Sequence, residues 1–361
     1  MNMVFRWFGE GNDSVCLEDI KQIPGVKGVV WALHDIEAGE VWPKERIDKI
    51  KQEADRLHFH LDVVESINIH ESIKLGSTDR DYYIDNYIET IKNVANAGVK
   101  VICYNFMPVF DWIRTDLYKT LPDGSSAMFY EKDLIKDLDP LDLADKINEN
   151  PAYTMPGWEP SRMKALKNLF EKYQSVTEED LFQYLRYFLE RVIPVCAAHD
   201  IKLALHPDDP PWEVFGLPRI ATNQKNLGRI LQLVDHPANG LTFCTGALGV
   251  NPNNNLVKMI EDFQKRIYFA HIRNVKNFEN GDFIETSHYT KDGSIEIDAV
   301  MEMLSKVNYS GYIRPDHGRH IWNEKSRAGY GLYDRALGIM YLHGLWDAFE
   351  RKKEGLKRVT N

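Results

Sequence analysis

Histidine, cysteine and aspartate recur in this chain at one kind of place, the end of a short β-like run. His206 ends LALH, Cys244 ends LTFC, His271 closes YFAH and Asp316 follows YIRP. Imidazole nitrogen, thiolate sulfur and carboxylate oxygen are all ligands for divalent first-row metals, and catalytic sites keep a coordination position open for substrate. Taken singly, each residue has a plainer reading. A cysteine in a buried strand is usually a small apolar residue, and a histidine at a strand end is more often a hydrogen-bonded structural group. Four coincidences on successive strands weigh against the plain reading. An ionised thiolate and carboxylate formally cancel a dication, so an anionic substrate would need further cations. Arg6, Arg273 and Arg314 are candidates for that task, with Asn105 and Asn274 as candidate substrate-binding amides.

A second constellation is Asp316-His317-Gly318, followed by a loop with Arg327, Gly329, Tyr330 and Gly331. If the chain stays extended past Pro315, Asp316 and His317 cannot both point inward at one level, because neighbours on a strand alternate faces. Loop geometry would have to bring His317 over the site, leaving one residue to ligate and the other to handle protons. Tyr330 sits between glycines, and its phenol becomes a proton-transfer group if a nearby cation lowers its pKa. The plain alternative is a tyrosine packed under a loop. His34, in VVWALHD, is a candidate donor to a polyol, whereas His58, His199, His236 and His343 read as structural.

Stepping these residues onto elements requires strands whose C-terminal ends converge. Eight strand-like runs alternate with helical patterns: Val4 to Phe8, Gly28 to Leu33, His58 to Glu65, Val99 to Phe106, Lys202 to His206, Leu241 to Cys244, Ile267 to Ile272 and Tyr312 to Arg314. That alternation predicts a closed (β/α)8 TIM barrel, in which the C-terminal ends of all strands open on one mouth. Crossover helices are expected over Pro43 to Arg56, Arg80 to Ala97 (before Gly98) and Glu178 to Ala198. In the last of these, Leu181, Leu185, Phe188 and Val192 share a face. Residues 1–361 form a single domain in this reading. The stretch 112–174 is too long for an ordinary loop and is expected to be a helical insertion after the fourth strand, acting as a lid or a subunit contact. Its charged middle, EKDLIKDLDPLDLADKINENP, reads as exposed amphipathic helix, and the closing RKKEGLKRVTN as a solvated tail.

Composition narrows the function classes. Hydrophobic residues make up 43% and charged residues 27% of the 361, ordinary globular values. A net charge of −10, from 44 basic and 54 acidic residues, has the wrong sign for neutralising a phosphate backbone, so nucleic acid is not expected as a partner. No leader pattern or membrane-length apolar run is present, and the four cysteines form no CxxC pair. A cytoplasmic location, free thiols and no membrane partner are expected. Phosphate-loop, dinucleotide, nucleophile-elbow and HExxH signatures are missing.

The blocks RWFG, ALHDIEAGEVW, VVESINIHESIK, CYNFMPVFDWIRT, LALHPDDPPW, FCTGALG, HIRN and RPDHGR, which run from the first strand to the last, resemble mannonate dehydratase. That family is similar to xylose isomerase-type barrels and converts D-mannonate to 2-keto-3-deoxy-D-gluconate with a divalent metal, Mn2+ or Fe2+, in hexuronate (glucuronate) catabolism. The resemblance implies His206, Cys244, His271 and Asp316 as ligands and His317 with Tyr330 as the proton-transfer pair, without saying which is acid and which base. A homo-oligomer is expected. Rival readings are an aldose-ketose isomerase, which favours carboxylate-rich ligation, a metal-dependent DNA-repair barrel, which wants a basic surface, and a non-catalytic sugar-acid binding protein.

Overall fold

The computed structural model describes residues 1–137 and 166–360. In chain order its strands are β1 (Asn2–Arg6), β2 (Gly28–Trp31), β3 (His60–Glu65), β4 (Val101–Tyr104), β5 (Asp116–Thr120), β6 (Ser126–Tyr130), β7 (Lys202–Leu205), β8 (Asn239–Cys244), β9 (Ile267–His271), β10 (Val275–Asn277), β11 (Phe283–Glu285) and β12 (Tyr312–Arg314). Eight of them close a parallel barrel in the order β1-β12-β9-β8-β7-β4-β3-β2. These are the eight strands expected from the sequence, within about three residues at each end, with helices between them. Side chains facing outward from the strands pack under the helices in the main apolar core. A smaller cluster of Val4, Val30, Val63, Val101, Cys103, Ala204 and Phe269 fills the barrel interior.

The helix Glu178–Ala198 buries Leu181, Leu185, Phe188 and Val192 as its periodicity demands, and starts with a capping box between Thr177 and Asp180. One expectation is corrected. The insertion is not wholly helical: it opens with the hairpin β5–β6, which joins β10 and β11 in an antiparallel sheet of order β10-β11-β6-β5. The alternating runs LYKT and SAMFY around Pro122-Asp123-Gly124 are a hairpin signal, and Gly124 takes the left-handed φ of +83° that such a turn needs. Short helices Lys132–Asp137 and Leu166–Tyr173 flank the remainder, and most of the charged middle expected to be amphipathic lies outside the described residues. The closing segment, expected as a solvated tail, continues the helix Tyr333–Thr360 and is mostly exposed over 351–355. Strong helix formers and the lack of proline carry it on without an apolar stripe.

Candidate active site

The interior cluster explains how the site is placed. Side chains of a strand face the same way every second residue. Two positions beyond Val4, Val63, Ala204 and Phe269 therefore stand Arg6, Glu65, His206 and His271, and two beyond Thr242 and Tyr312 stand Cys244 and Arg314. One inward row plugs the barrel with apolar groups, and the next row up, at the C-terminal mouth, is almost entirely chargeable. Arg6, Asn105, His206, Arg273, Arg314, Asp316, His317 and Tyr330 line one cavity there, with Cys244 and His271 fully buried.

Asp316 and His317 do both reach this mouth. The chain does not stay extended past Pro315: Asp316 takes φ +58°, a left-handed turn that ends the strand at once, and loop geometry brings His317 over the mouth. Aspartate tolerates that region better than most residues. His288 donates to the carbonyl of Pro315 and helps hold the turn.

Donor atoms of His206, Cys244 and His271 lie within 4.8 Å of one another. Asp316 joins them, with Oδ2 3.5 Å from Cys244 Sγ and Oδ1 3.8 Å from His271 Nδ1. His206 Nδ1 lies 2.7 Å from the carbonyl of Pro207, so it carries the proton and Nε2 keeps its lone pair. His271 Nε2 faces Glu65 Oε1 at 3.5 Å without a hydrogen bond, and its Nδ1 lies 3.5 Å from Arg314 Nη2. His206 Nε2 and His271 Nδ1 stand 3.2 Å apart, close enough to converge on one ion. A carboxylate behind a ligating imidazole is a recurrent feature of metal sites. The donor set thus fits a divalent metal. Burial raises the Asp316 carboxyl, but Arg314, His317, His271 and Arg273 outweigh it and hold it well below the usual carboxylate range.

Beside this cluster His317 Nε2 lies 3.1 Å from the Tyr330 hydroxyl. The expectation of a lowered phenol is not met by the protein's own charges. Burial, opposed by Arg314 and Arg6, pushes Tyr330 up to about 12, so the group is a neutral proton donor. Arg6 donates to the carbonyl of Val30 at 3.3 Å and to His34 Nε2 at 3.1 Å. Burial, reinforced by Arg6 and Arg327, holds His34 well below its ordinary value, which keeps it neutral and able to accept. His34 thus stands behind Arg6, outside the lining of the cavity. Asn274 also lies off the cavity: its amide accepts from Val275 N at 2.9 Å and Ile295 N at 3.0 Å and donates to the carbonyl of Tyr289 at 3.1 Å.

Four charged residues escaped the sequence reading. Glu65 ends β3 and was available to the same strand-end rule. Asp209 and Arg114 lie in loops, and Glu285 lies on β11, outside the barrel; no periodicity points to them. Arg114 donates to both oxygens of Asp209, at 2.9 and 3.0 Å, and to Glu285 at 2.8 Å. Arg273 donates to the same two carboxylates at 2.7 Å each. Burial would raise the Glu285 carboxyl, yet His317, Arg273 and Arg114 hold it at about 2.

A parallel barrel with a His/Cys/Asp donor cluster and an adjacent imidazole-phenol pair at its mouth defines the class: a barrel protein whose mouth could hold a divalent metal. Among solved structures, a xylose isomerase domain protein from Planctomyces limnophilus shares the fold, with a TM-score of 0.57 at 12% identity, covering 97% of this chain and 98% of that one. The mannonate dehydratase of Streptococcus suis superposes with a TM-score of 0.88 at 41% identity, over 98% of this chain and 96% of that one. Mannonate dehydratase 1 of Bacillus licheniformis is 62% identical over 98% of this chain and 97% of its own length. The family model for D-mannonate dehydratase (UxuA) matches residues 1–355. The chain belongs to the D-mannonate dehydratase family, whose members are hydro-lyases.

Proposed function

We propose that this chain dehydrates D-mannonate to 2-keto-3-deoxy-D-gluconate, using Mn2+ or Fe2+ held by His206, Cys244, His271 and Asp316. The observation that carries this reading is one cavity lined by His206 and Asp316 of the donor cluster, by the His317–Tyr330 pair and by Arg6. Among the described residues Arg6 makes no ion pair with a carboxylate; its guanidinium, held by the Val30 carbonyl and His34, lines the cavity and keeps further N–H donors for the carboxylate of a sugar acid. A bound divalent ion supplies Lewis-acid stabilisation of the charge that develops on substrate oxygens.

The protein's own groups handle the protons. His317 Nε2 takes the proton beside the substrate carboxylate, and the neutral Tyr330 phenol gives its proton to the departing hydroxyl, which leaves as water. The imidazolium then returns a proton to the phenolate across the 3.1 Å contact, restoring both groups. Positioned acids and bases each contribute roughly 10² to 10⁴ in rate. An aldose-ketose isomerase is not favoured, since the ligand set includes a cysteine and the relatives are dehydratases.

Three broader expectations belong to the same proposal. All four cysteines are free, in keeping with a cytoplasmic enzyme, and among the described residues no helix is long and apolar enough to cross a membrane. Residues 112–174, of which 138–165 lie outside the described residues, are proposed as a lid or a subunit contact: Ser126 of β6 exchanges backbone hydrogen bonds with His320, at 3.0 and 2.8 Å, beside the loop that carries His317 and Tyr330. Sedimentation at a multiple of 41.8 kDa would support a homo-oligomer. The deciding experiment incubates manganese-loaded protein with D-mannonate, follows 2-keto-acid formation, and runs a chelated sample alongside. Chelator-sensitive product is expected; no product with either metal would overturn the proposal.

A further inference from the structure

Glu285 lies on β11, outside the barrel, yet its Oε1 is the meeting point of three donors. Arg114 reaches it at 2.8 Å, Arg273 Nη1 at 2.7 Å and His317 Nδ1 at 2.9 Å. The two guanidinium groups are themselves fixed by Asp209, and Glu285 is only 1% exposed. An oxygen so surrounded is an anionic acceptor. A neutral imidazole facing it with the bare Nδ1 lone pair would set two lone pairs against each other at hydrogen-bond distance.

We propose that Glu285 is a positioning residue that locks His317 into the Nδ1–H tautomer, leaving the Nε2 lone pair as the atom presented to Tyr330 and the cavity. This rests on the dehydratase reading for its kinetic consequence. It makes the small antiparallel sheet a working part of the barrel's site. Glu285 neither lines the cavity nor belongs to the donor cluster; besides His317 it holds Arg273, which lines the cavity and pairs with Asp316 Oδ2 at 2.7 Å. The same carboxylate stabilises the imidazolium formed when Nε2 takes a proton. An isosteric loss of the carboxylate that holds a catalytic imidazole in its productive tautomer can cost up to about 10⁴ in kcat.

The tautomer is read directly by nitrogen-15 NMR of histidine-labelled, zinc-loaded protein at alkaline pH, with His317 assigned by the signals lost in His317→Asn. The wild type should carry the His317 proton on Nδ1. In Glu285→Gln, where the amide can donate to Nδ1, the Nε2–H form should gain population. With the manganese enzyme, kcat for D-mannonate should fall by about 10² to 10⁴ while KM and bound metal stay within about twofold. A purely structural role would move stability, KM and metal content together. A wild-type His317 protonated on Nε2 would overturn the proposal, as would a Glu285→Gln enzyme with undiminished kcat or with KM and metal lost in step. If Glu285→Gln does not fold, Glu285→Asp keeps the charge between the arginines but withdraws the oxygen from Nδ1; the same kcat loss is expected, and wild-type kcat would overturn the proposal. Because the tautomer is read without substrate, a protein that ignores D-mannonate would sink the functional reading and leave the NMR result to decide Glu285.

Discussion

In the proposed mechanism, His317 and the four metal donors stand side by side but do separable work. His317 has no donor atom in the His206–Cys244–His271 cluster, and its two ring nitrogens are taken up by Glu285 and Tyr330. Replacing it by asparagine should therefore lower kcat by about 10² to 10⁴ while the manganese content, measured by elemental analysis, stays at the wild-type level. A His317→Asn enzyme with full activity would remove the residue from the mechanism. Parallel loss of metal would make it a ligand instead. The left-handed Asp316 belongs to the same scale: one unusual φ brings two consecutive side chains to the same cavity.

Elements contribute through their ends and their outliers. The helix Glu178–Ala198 is tied at its start by reciprocal bonds, Asp180 N to Thr177 Oγ1 at 3.1 Å and Thr177 N to Asp180 Oδ2 at 2.9 Å. Thr177→Ala should cost about 1 kcal/mol of stability, seen as a lower urea midpoint at unchanged slope and unchanged kcat. The four-stranded sheet is bound to the barrel by a different device, the buried Arg114 between Asp209 and Glu285. Removing one partner of a buried ionic network leaves uncompensated charge, so Arg114→Met should cost about 3 to 5 kcal/mol in the same denaturation experiment. A cost under about 1 kcal/mol, the range of surface pairs, would mean that the sheet is held by its apolar contacts alone.

For the whole molecule, gathering so many charges at one mouth makes stability depend on pH in a definite direction. Glu285 is held at about 2, and Asp209, raised by burial but lowered more by Arg114 and Arg273, lies below the usual carboxylate range. Free carboxyls titrate near about 4. The unfolded chain thus binds more protons than the folded one as the medium acidifies, and the stability these groups contribute is complete above about pH 5 and lost as pH falls toward 2. His34, neutral in the fold, has the same sign but starts earlier, from its unfolded value of about 6.5. Denaturation midpoints collected across pH should decline from near neutrality and steepen below about pH 4. Constant stability down to about pH 3 would contradict the buried network.

Periodicity and strand ends were enough to place eight strands, the crossover helices and the row of His206, Cys244 and His271, because a barrel built from regular βα units forces every strand's last inward residue toward one mouth. Arg6, Arg314 and Tyr330 were legible for the same reason or from the resemblance that spans the chain. The hairpin at 116–130 carried a turn signal that the surrounding charged sequence obscured. Glu65 was within reach of the strand-end rule, whereas Asp209, Arg114 and Glu285 were not. These three meet only when a loop after β4, a loop after β7 and a strand outside the barrel fold over one another. Contacts between residues as far apart as Arg114 and Glu285 leave no local pattern in the chain. The sequence by itself determined the barrel and the donors at its mouth. The tertiary structure alone decided which carboxylate stands behind His317 and that Asp316 turns left, since both depend on long-range packing and charge rather than on neighbours along the chain.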